Sequence, residues 1–322
     1  MSAPVALFVY NRPDHTHRTV EALAANLGAK ETTLWVFSDG PKSEAAKEKV
    51  EAVRAFVRTL PGAGLFGNVV LSEAPENRGL RRSIVTGVSE VMAASGRAIV
   101  LEDDLVTAPD FIAFMSDCLD FYEADPSVGS IAGYCPLKAP PPGYRHSIYA
   151  VPRSSSHGWA TWKNRWDAVD WSASRFPEFW KDRALRRAFD ACGSDRTDRL
   201  RREVERGAES WSVIFGFSLL LHGQNTIVPT VTRIRNIGDD GSGVHSFHGA
   251  SMNDELPLQP TPYILEHVEP DPRVVDAYRR LYSGGLATRT ARFLRNNGLG
   301  GVERLARRAQ ALFQTRRFTK SV

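Results

Sequence analysis

Residues 97–110 read Arg-Ala-Ile-Val-Leu-Glu-Asp-Asp-Leu-Val-Thr-Ala-Pro-Asp. Ala98 to Leu101 is a short, unbroken apolar run, the pattern of a strand covered on both faces, and Glu102, Asp103 and Asp104 follow it without a spacer. Adjacent carboxylates repel one another. At the carboxyl end of a buried strand they stand where open α/β sheets bind ligands, and a divalent cation shared with phosphate oxygens would neutralise them. The competing reading is a solvated acidic turn that caps a helix starting near Pro109 and Asp110.

The segments before this stretch alternate in character. Residues 5–10 form a buried-strand pattern ending in Asn11-Arg12-Pro13, and a helical pattern covers 13–26. A second strand is expected over 33–38, ending in Asp39-Gly40-Pro41, then a helix over 43–58, a strand at 68–71 and a helix over 80–94. Strands alternating with helices imply an α/β fold with a mostly parallel sheet and helices on both faces. Asn11, Arg12, Asp39 and the acidic triplet then share the carboxyl edge of that sheet. Asn77-Arg78-Gly79-Leu80-Arg81-Arg82 adds cations nearby. Arg78 and Arg81 either belong to a solvated helix face or hold a diphosphate in bidentate fashion.

Composition sets the frame for these motifs. The 322 residues are 42% hydrophobic and 24% charged, an ordinary globular balance that suffices for one large core or two smaller ones. No apolar run approaches the roughly 20 residues of a membrane span, and the first residues lack the basic start and cleavage site of a secretory signal, so a cytoplasmic location is expected. Cys118, Cys135 and Cys192 are odd in number and far apart, which suits buried, reduced thiols. From Leu286 onward nine Arg and Lys face one Glu, net +8, so the preceding residues carry −4 of the chain's +4. A nucleic-acid-binding body, which would carry its basic stripe within the folded domain, is excluded.

Beyond the triplet, Pro136 to Gly143 reads Pro-Leu-Lys-Ala-Pro-Pro-Pro-Gly and is expected to be a loop. It marks a boundary between residues 1–135, which carry the strand-end motifs, and residues 136–285. Six of the seven tryptophans fall between Trp159 and Trp211. Most such rings fill a core; Trp159 and Trp162, beside His157 and Gly158 in a Ser-rich turn, are the candidates for stacking on a sugar.

Taken in order, these motifs carry a resemblance. The strand with Asn11-Arg12, the strand with Asp39-Gly40, Asn77-Arg78-Gly79, and Val100 to Val106 followed by Pro109-Asp110-Phe111 make the chain resemble GT-A glycosyltransferases. It is most similar to the N-acetylglucosaminyltransferases that begin N-glycan branching and to their bacterial sugar-transferase relatives. The similarity continues through residues 128–134, 158–162, Trp211 and 236–245. The resemblance implies that Asp104 binds Mn²⁺ or Mg²⁺, that Asp103 and Glu102 contact ribose or donor sugar, and that Arg12 and Asp39 line the nucleoside pocket. The co-substrate would be a nucleoside-diphosphate sugar, a UDP-sugar favoured, and the acceptor a hydroxyl of a glycan or glycolipid.

A direct displacement needs a base for the acceptor proton. In the family's eukaryotic members an Asp immediately precedes the tryptophan that matches Trp211, and in many bacterial relatives an Asp follows it. Both positions are serine here, Ser210 and Ser212. Glu209 is the substitute, with Asp240 and Asp239 as runners-up; Glu209 also reads as a helix-initiating residue. The glycine-rich run 238–245 lacks the strand and helix of a dinucleotide or P-loop fingerprint and is expected to form a mobile lid, with His245 or His248 as a second metal ligand or as ordinary loop histidines.

The last segment, 286–322, places Val302, Leu305, Ala309, Leu312 and Phe313 on one helical face among arginines. Such a helix either lies on an anionic membrane surface or docks on the domain. Two rivals to a transferase stand beside it. A sugar-nucleotide nucleotidyltransferase would usually bring a glycine-rich basic loop straight after the first strand, which Asn11-Arg12-Pro13-Asp14 is not. A non-catalytic carbohydrate- or membrane-binding protein of the same fold would need no acidic triplet, yet would tolerate serine on both sides of Trp211.

Overall fold

A computed structural model describes residues 2–207, 210–238 and 255–296. The chain opens with β1 (Val5–Val9), α1 (Pro13–Ala24), β2 (Thr33–Ser38), α2 (Glu44–Val57), β3 (Asn68–Glu73), α3 (Leu80–Ser95) and β4 (Arg97–Glu102). Next come β5 (Leu105–Thr107), α4 (Phe111–Tyr122), β6 (Val128–Ala132), β7 (Ile148–Val151) and β8 (Trp159–Trp162). Three short helices, α5 (Lys163–Asp167), α6 (Phe176–Lys181) and α7 (Arg183–Phe189), precede α8 (Arg196–Arg206) and α9 (Trp211–Leu221). β9 (Asn225–Pro229), β10 (Ile234–Asn236), α10 (Pro272–Ser283) and α11 (Leu286–Asn296) complete the described elements. The alternation expected from the sequence is present, and its boundaries shift by one or two residues at most sites.

Eight strands form one sheet in the order β3-β2-β1-β4-β8-β6-β9-β7. β3, β2, β1 and β4 run parallel, and so do β6 and β9, whereas β8 and β7 are antiparallel to their neighbours. The sheet is therefore mostly parallel, with helices on both faces. Alternate residues of each strand feed opposite cores, as the two-residue period requires. Val5, Leu7, Val9, Ile99 and Leu101 join α1, α2 and α4, while Ala6, Phe8, Ala98 and Val100 join α3 and α9. α3 approaches closely because position 87 is glycine: a Cβ there would stand 2.7 Å from the Phe8 ring.

The loop 136–143 is irregular, as its prolines dictate, and the strands on both sides of it belong to the one sheet. The three cysteines are buried and unpaired, as expected. Among the described residues no helix is long and apolar enough to cross a membrane.

β5 and β10 form a separate antiparallel ribbon directly after the acidic triplet. A buried arginine locks it in place. Arg233 is 1% exposed; its Nε donates to Asp110 Oδ2 at 3.1 Å and its Nη2 to the Thr261 carbonyl at 3.0 Å, with the guanidinium 4.1 Å over the Phe114 ring. The same Asp110 oxygen accepts the Thr261 backbone N–H. Arg233 thus ties the ribbon, the start of α4 and the extended segment 255–271 together. Removing one member of a buried pair strands the other's charge. Arg233→Met is expected to cost about 3 kcal/mol of stability, measured by urea unfolding, with Asp110→Asn recovering part of the loss in the double variant.

Candidate functional site

The strand order reverses at β1. From there the chain goes outward to β2 and β3 on one side and returns to β4 on the other. Such a switch point opens a crevice at the carboxyl ends of the two strands, since their connections leave in opposite directions. Phe8 stands level with Glu102 across the β1–β4 ladder, so the residues after both strands meet at this crevice.

There the triplet and Arg12 form a compact ionic cluster. Arg12 Nη2 donates to Asp103 Oδ1 and Nη1 donates to Asp104 Oδ2 at 3.0 Å. The Tyr10 backbone N–H donates to Asp103 Oδ2 at 3.2 Å, and Thr19 Oγ1 donates to the Asp103 carbonyl at 2.9 Å. Asp103 is buried and held; Asp104 and Arg12 are partly open to solvent, their side chains 16% and 18% exposed. The far wall is the strand end of β10: the Ile237 N–H donates to the Asp104 carbonyl at 2.9 Å, and His15 Nε2 meets the Ile237 carbonyl at 3.1 Å. Gly238 lies against the Asp104 carboxylate so closely that a Cβ would stand 2.3 Å from Oδ2.

Burial sets the charge state of the cluster. Desolvation, with the carboxylates of Asp104 and Asp103, pushes Glu102 up to about 8. Desolvation also pushes Asp103 up to about 6, against the attraction of Arg12. A carboxyl whose pKa rises on folding stabilises the native state less as it ionises, so stability falls from the ordinary value of 4.5 upward to about pH 8. Glu102→Gln is therefore expected to raise the melting temperature at pH 8 by a few degrees, roughly 1.5 °C per kcal/mol recovered in a chain of this length, and to change little at pH 4.5. An equal shift at both pH values would show that the charge is not the cause.

Asp39 reaches the same edge in another role. Its Oδ1 accepts the N–H groups of Gly40 and Arg78 at 2.8 Å, and its Oδ2 accepts from Asn77 Nδ2 and the Gly79 N–H at 3.0 Å. Four donors fill a carboxylate's acceptor sites. Asp39, expected to line a nucleoside pocket, pins the 77–79 turn from which α3 starts. The Arg78 side chain is exposed at that turn, and Asn11 is partly exposed after β1.

Arg81 does not join the strand-end cations. Its Nη1 donates to Glu203 Oε1 at 2.7 Å and its Nη2 to the Trp171 carbonyl. Glu203 is buried, and its other oxygen accepts the Ser210 N–H at 2.7 Å. Arg81 thus links α3 to α8 and to the start of α9, and its guanidinium is engaged by Glu203 and the Trp171 carbonyl. Sequence reading missed Glu203, which lies in a charged helix with nothing local to mark it.

Trp159 and Trp162, expected to stack on a sugar, lie in the core. They are 1% and 2% exposed, on a strand flanked by β4 and β6 and covered on both faces. Trp159 stacks on Trp211 with centroids 4.9 Å apart, and Trp162 Nε1 donates to the Leu119 carbonyl at 3.0 Å. Both are core residues, not acceptor platforms. Glu209, Asp239, Asp240, His245 and His248 lie outside the described residues.

No family model matches the chain. TarS and GalNAc-T7 are among the solved structures that resemble parts of it. TarS of S. aureus is 12% identical, with a TM-score of 0.41 over 73% of this chain and 36% of that one. A structure of GalNAc-T7 with UDP, GalNAc and Mn2+ is 10% identical, with a TM-score of 0.48 over 79% and 47%. The chain spans less than half the length of either.

Proposed function

We propose that the crevice between β1 and β4 is the donor site of a metal-dependent GT-A glycosyltransferase. It would move a sugar, with inversion, from a nucleoside diphosphate (UDP favoured) to a hydroxyl of a glycan or glycolipid. The observation that carries this reading is the set of three carboxylates and one arginine gathered at the switch point of a mostly parallel sheet. Residues 1–135 supply the donor side, and residues 136–285 the acceptor side, in this reading.

The donor set suits a hard cation. Among the described residues no three His, Cys, Asp or Glu converge into a cage that could hold one alone. One or two carboxylates completed by substrate phosphates and water is the usual arrangement for Mg²⁺. Asp104, partly open and cradled by the bare Gly238 backbone, fits that role, with Asp103 fixed behind it. When bound, Mn²⁺ or Mg²⁺ supplies charge stabilisation to the departing diphosphate. Arg12 and Arg78 are cations available at the same edge for phosphate oxygens. Glu209 takes the acceptor's hydroxyl proton as the new C–O bond forms and the bond from the sugar to the diphosphate breaks, its electron pair leaving with the nucleotide.

A donor panel assayed for nucleoside diphosphate release, with and without Mn²⁺, tests the reading. Metal-dependent release from one donor is expected; nucleotide binding without turnover of any donor or acceptor would favour the non-catalytic carbohydrate-binding alternative, consistent with serine on both sides of Trp211.

The basic segment after Leu286 gives this enzyme a peripheral contact with an anionic membrane, where a lipid-linked acceptor would be found. Removing residues 300–322 is expected to leave turnover of a soluble acceptor near normal and to weaken co-sedimentation with anionic vesicles, most visibly at low salt. Loss of folded protein on truncation would instead assign the segment to the core.

A further inference from the structure

The guanidinium of Arg12 occupies two carboxylates at once, Asp103 Oδ1 through Nη2 and Asp104 Oδ2 through Nη1 at 3.0 Å. It approaches Asp104 Oδ2 from one side. The backbone at Gly238 closes another, where a Cβ would be 2.3 Å from that oxygen and 3.0 Å from Arg12 Nη1. The cluster therefore already has a cation on one oxygen of the partly open Asp104 carboxylate. Two cations on one carboxylate oxygen repel, and the repulsion is strong in a partly desolvated crevice. A divalent ion can use Asp104 Oδ2 only if Nη1 leaves it. A departing guanidinium needs another acceptor, and its planar fork matches the paired oxygens of a diphosphate.

We propose, resting on the donor-site reading above, that Arg12 is an internal counter-cation that makes metal and diphosphate binding interdependent. In the empty crevice it neutralises Asp103 and Asp104 and holds a free divalent ion out. An arriving nucleoside diphosphate takes the guanidinium, and Asp104 is released to the metal that comes with it. Because linkage is reciprocal, metal and diphosphate must raise each other's affinity by the same factor. Free Mn²⁺ then adds little to the empty site, and a nucleotide without metal gains little from Arg12.

Mn²⁺ binding, followed by the electron paramagnetic resonance of the free ion, tests this without turnover. Arg12→Met and the polar, uncharged Arg12→Gln are both expected to bind Mn²⁺ alone on the order of tenfold more tightly than the unaltered chain. With UDP as the probe, the unaltered chain should gain Mn²⁺ affinity, and both variants should lose most of that gain. Melting curves identify any variant that fails to fold, and either folded variant decides the matter. Mn²⁺ binding that Asp104→Ala abolishes but that neither Arg12 variant tightens overturns the counter-cation and leaves the donor site standing. Absence of Mn²⁺ binding in every variant, with and without UDP, overturns both.

Discussion

Asp104→Ala is expected to remove metal-dependent nucleotide binding and to lower turnover about 10²–10³-fold or more, while the protein melts close to its usual temperature. The asymmetry follows from where the residue sits. Its side chain faces a partly open crevice and meets Arg12; its structural contact, the carbonyl that accepts the Ile237 N–H, survives the substitution. Asp103→Ala should behave differently. That carboxylate is buried and accepts the Tyr10 N–H, so its loss should disturb the turn as well as the ligand. Calorimetry with a nucleoside diphosphate and Mn²⁺ measures the first effect and thermal unfolding the second. Unchanged nucleotide affinity in Asp104→Ala would remove the metal from this position.

Glu209→Gln is expected to reduce kcat by about 10²–10⁴ with donor and metal affinity retained, the usual contribution of a positioned general base. The acidic limb of the wild-type pH profile should vanish in the variant, because that limb reports the carboxylate losing its proton. Asp239→Asn and Asp240→Asn serve as comparisons and should alter donor affinity more than kcat. Near-normal turnover in Glu209→Gln, with collapse in either of the other two, would move the base to residue 239 or 240.

What could be read from the sequence divides along a physical line. Buried strands and amphipathic helices declare themselves by periodicity within a few residues, and every element from β1 to β4 was legible that way. Strand ends follow from strands, so Arg12, Asp39 and the triplet could be assigned to one edge. Partners distant in the chain could not. Arg81 read as either a solvated helix residue or a diphosphate ligand, because Glu203, 122 residues away, carries no local sign of the pair they form. Trp159 and Trp162 sit beside a serine-rich turn that reads as surface, but the strand they occupy is enclosed by two neighbours that the local pattern does not reveal. The place of Asp39 at this edge was legible and its partners were not, since three of its donors come from a turn 38 to 40 residues on. Arg233 went unnoticed, being one arginine among many until its burial is known.

The enclosed antiparallel strand also bears on how the chain can assemble. β4 and β6 are separated by β8, which the ribosome delivers only after both have emerged. Until Trp159–Trp162 arrive, the first four strands can pair among themselves, but β4 must wait with one apolar edge uncovered. Such an edge is a template for another chain. A fragment ending near residue 135 would keep that edge permanently open and should aggregate, and a nascent chain should need protection during the same interval. The piece that carries the acidic triplet thus depends for its solubility on the piece that follows it.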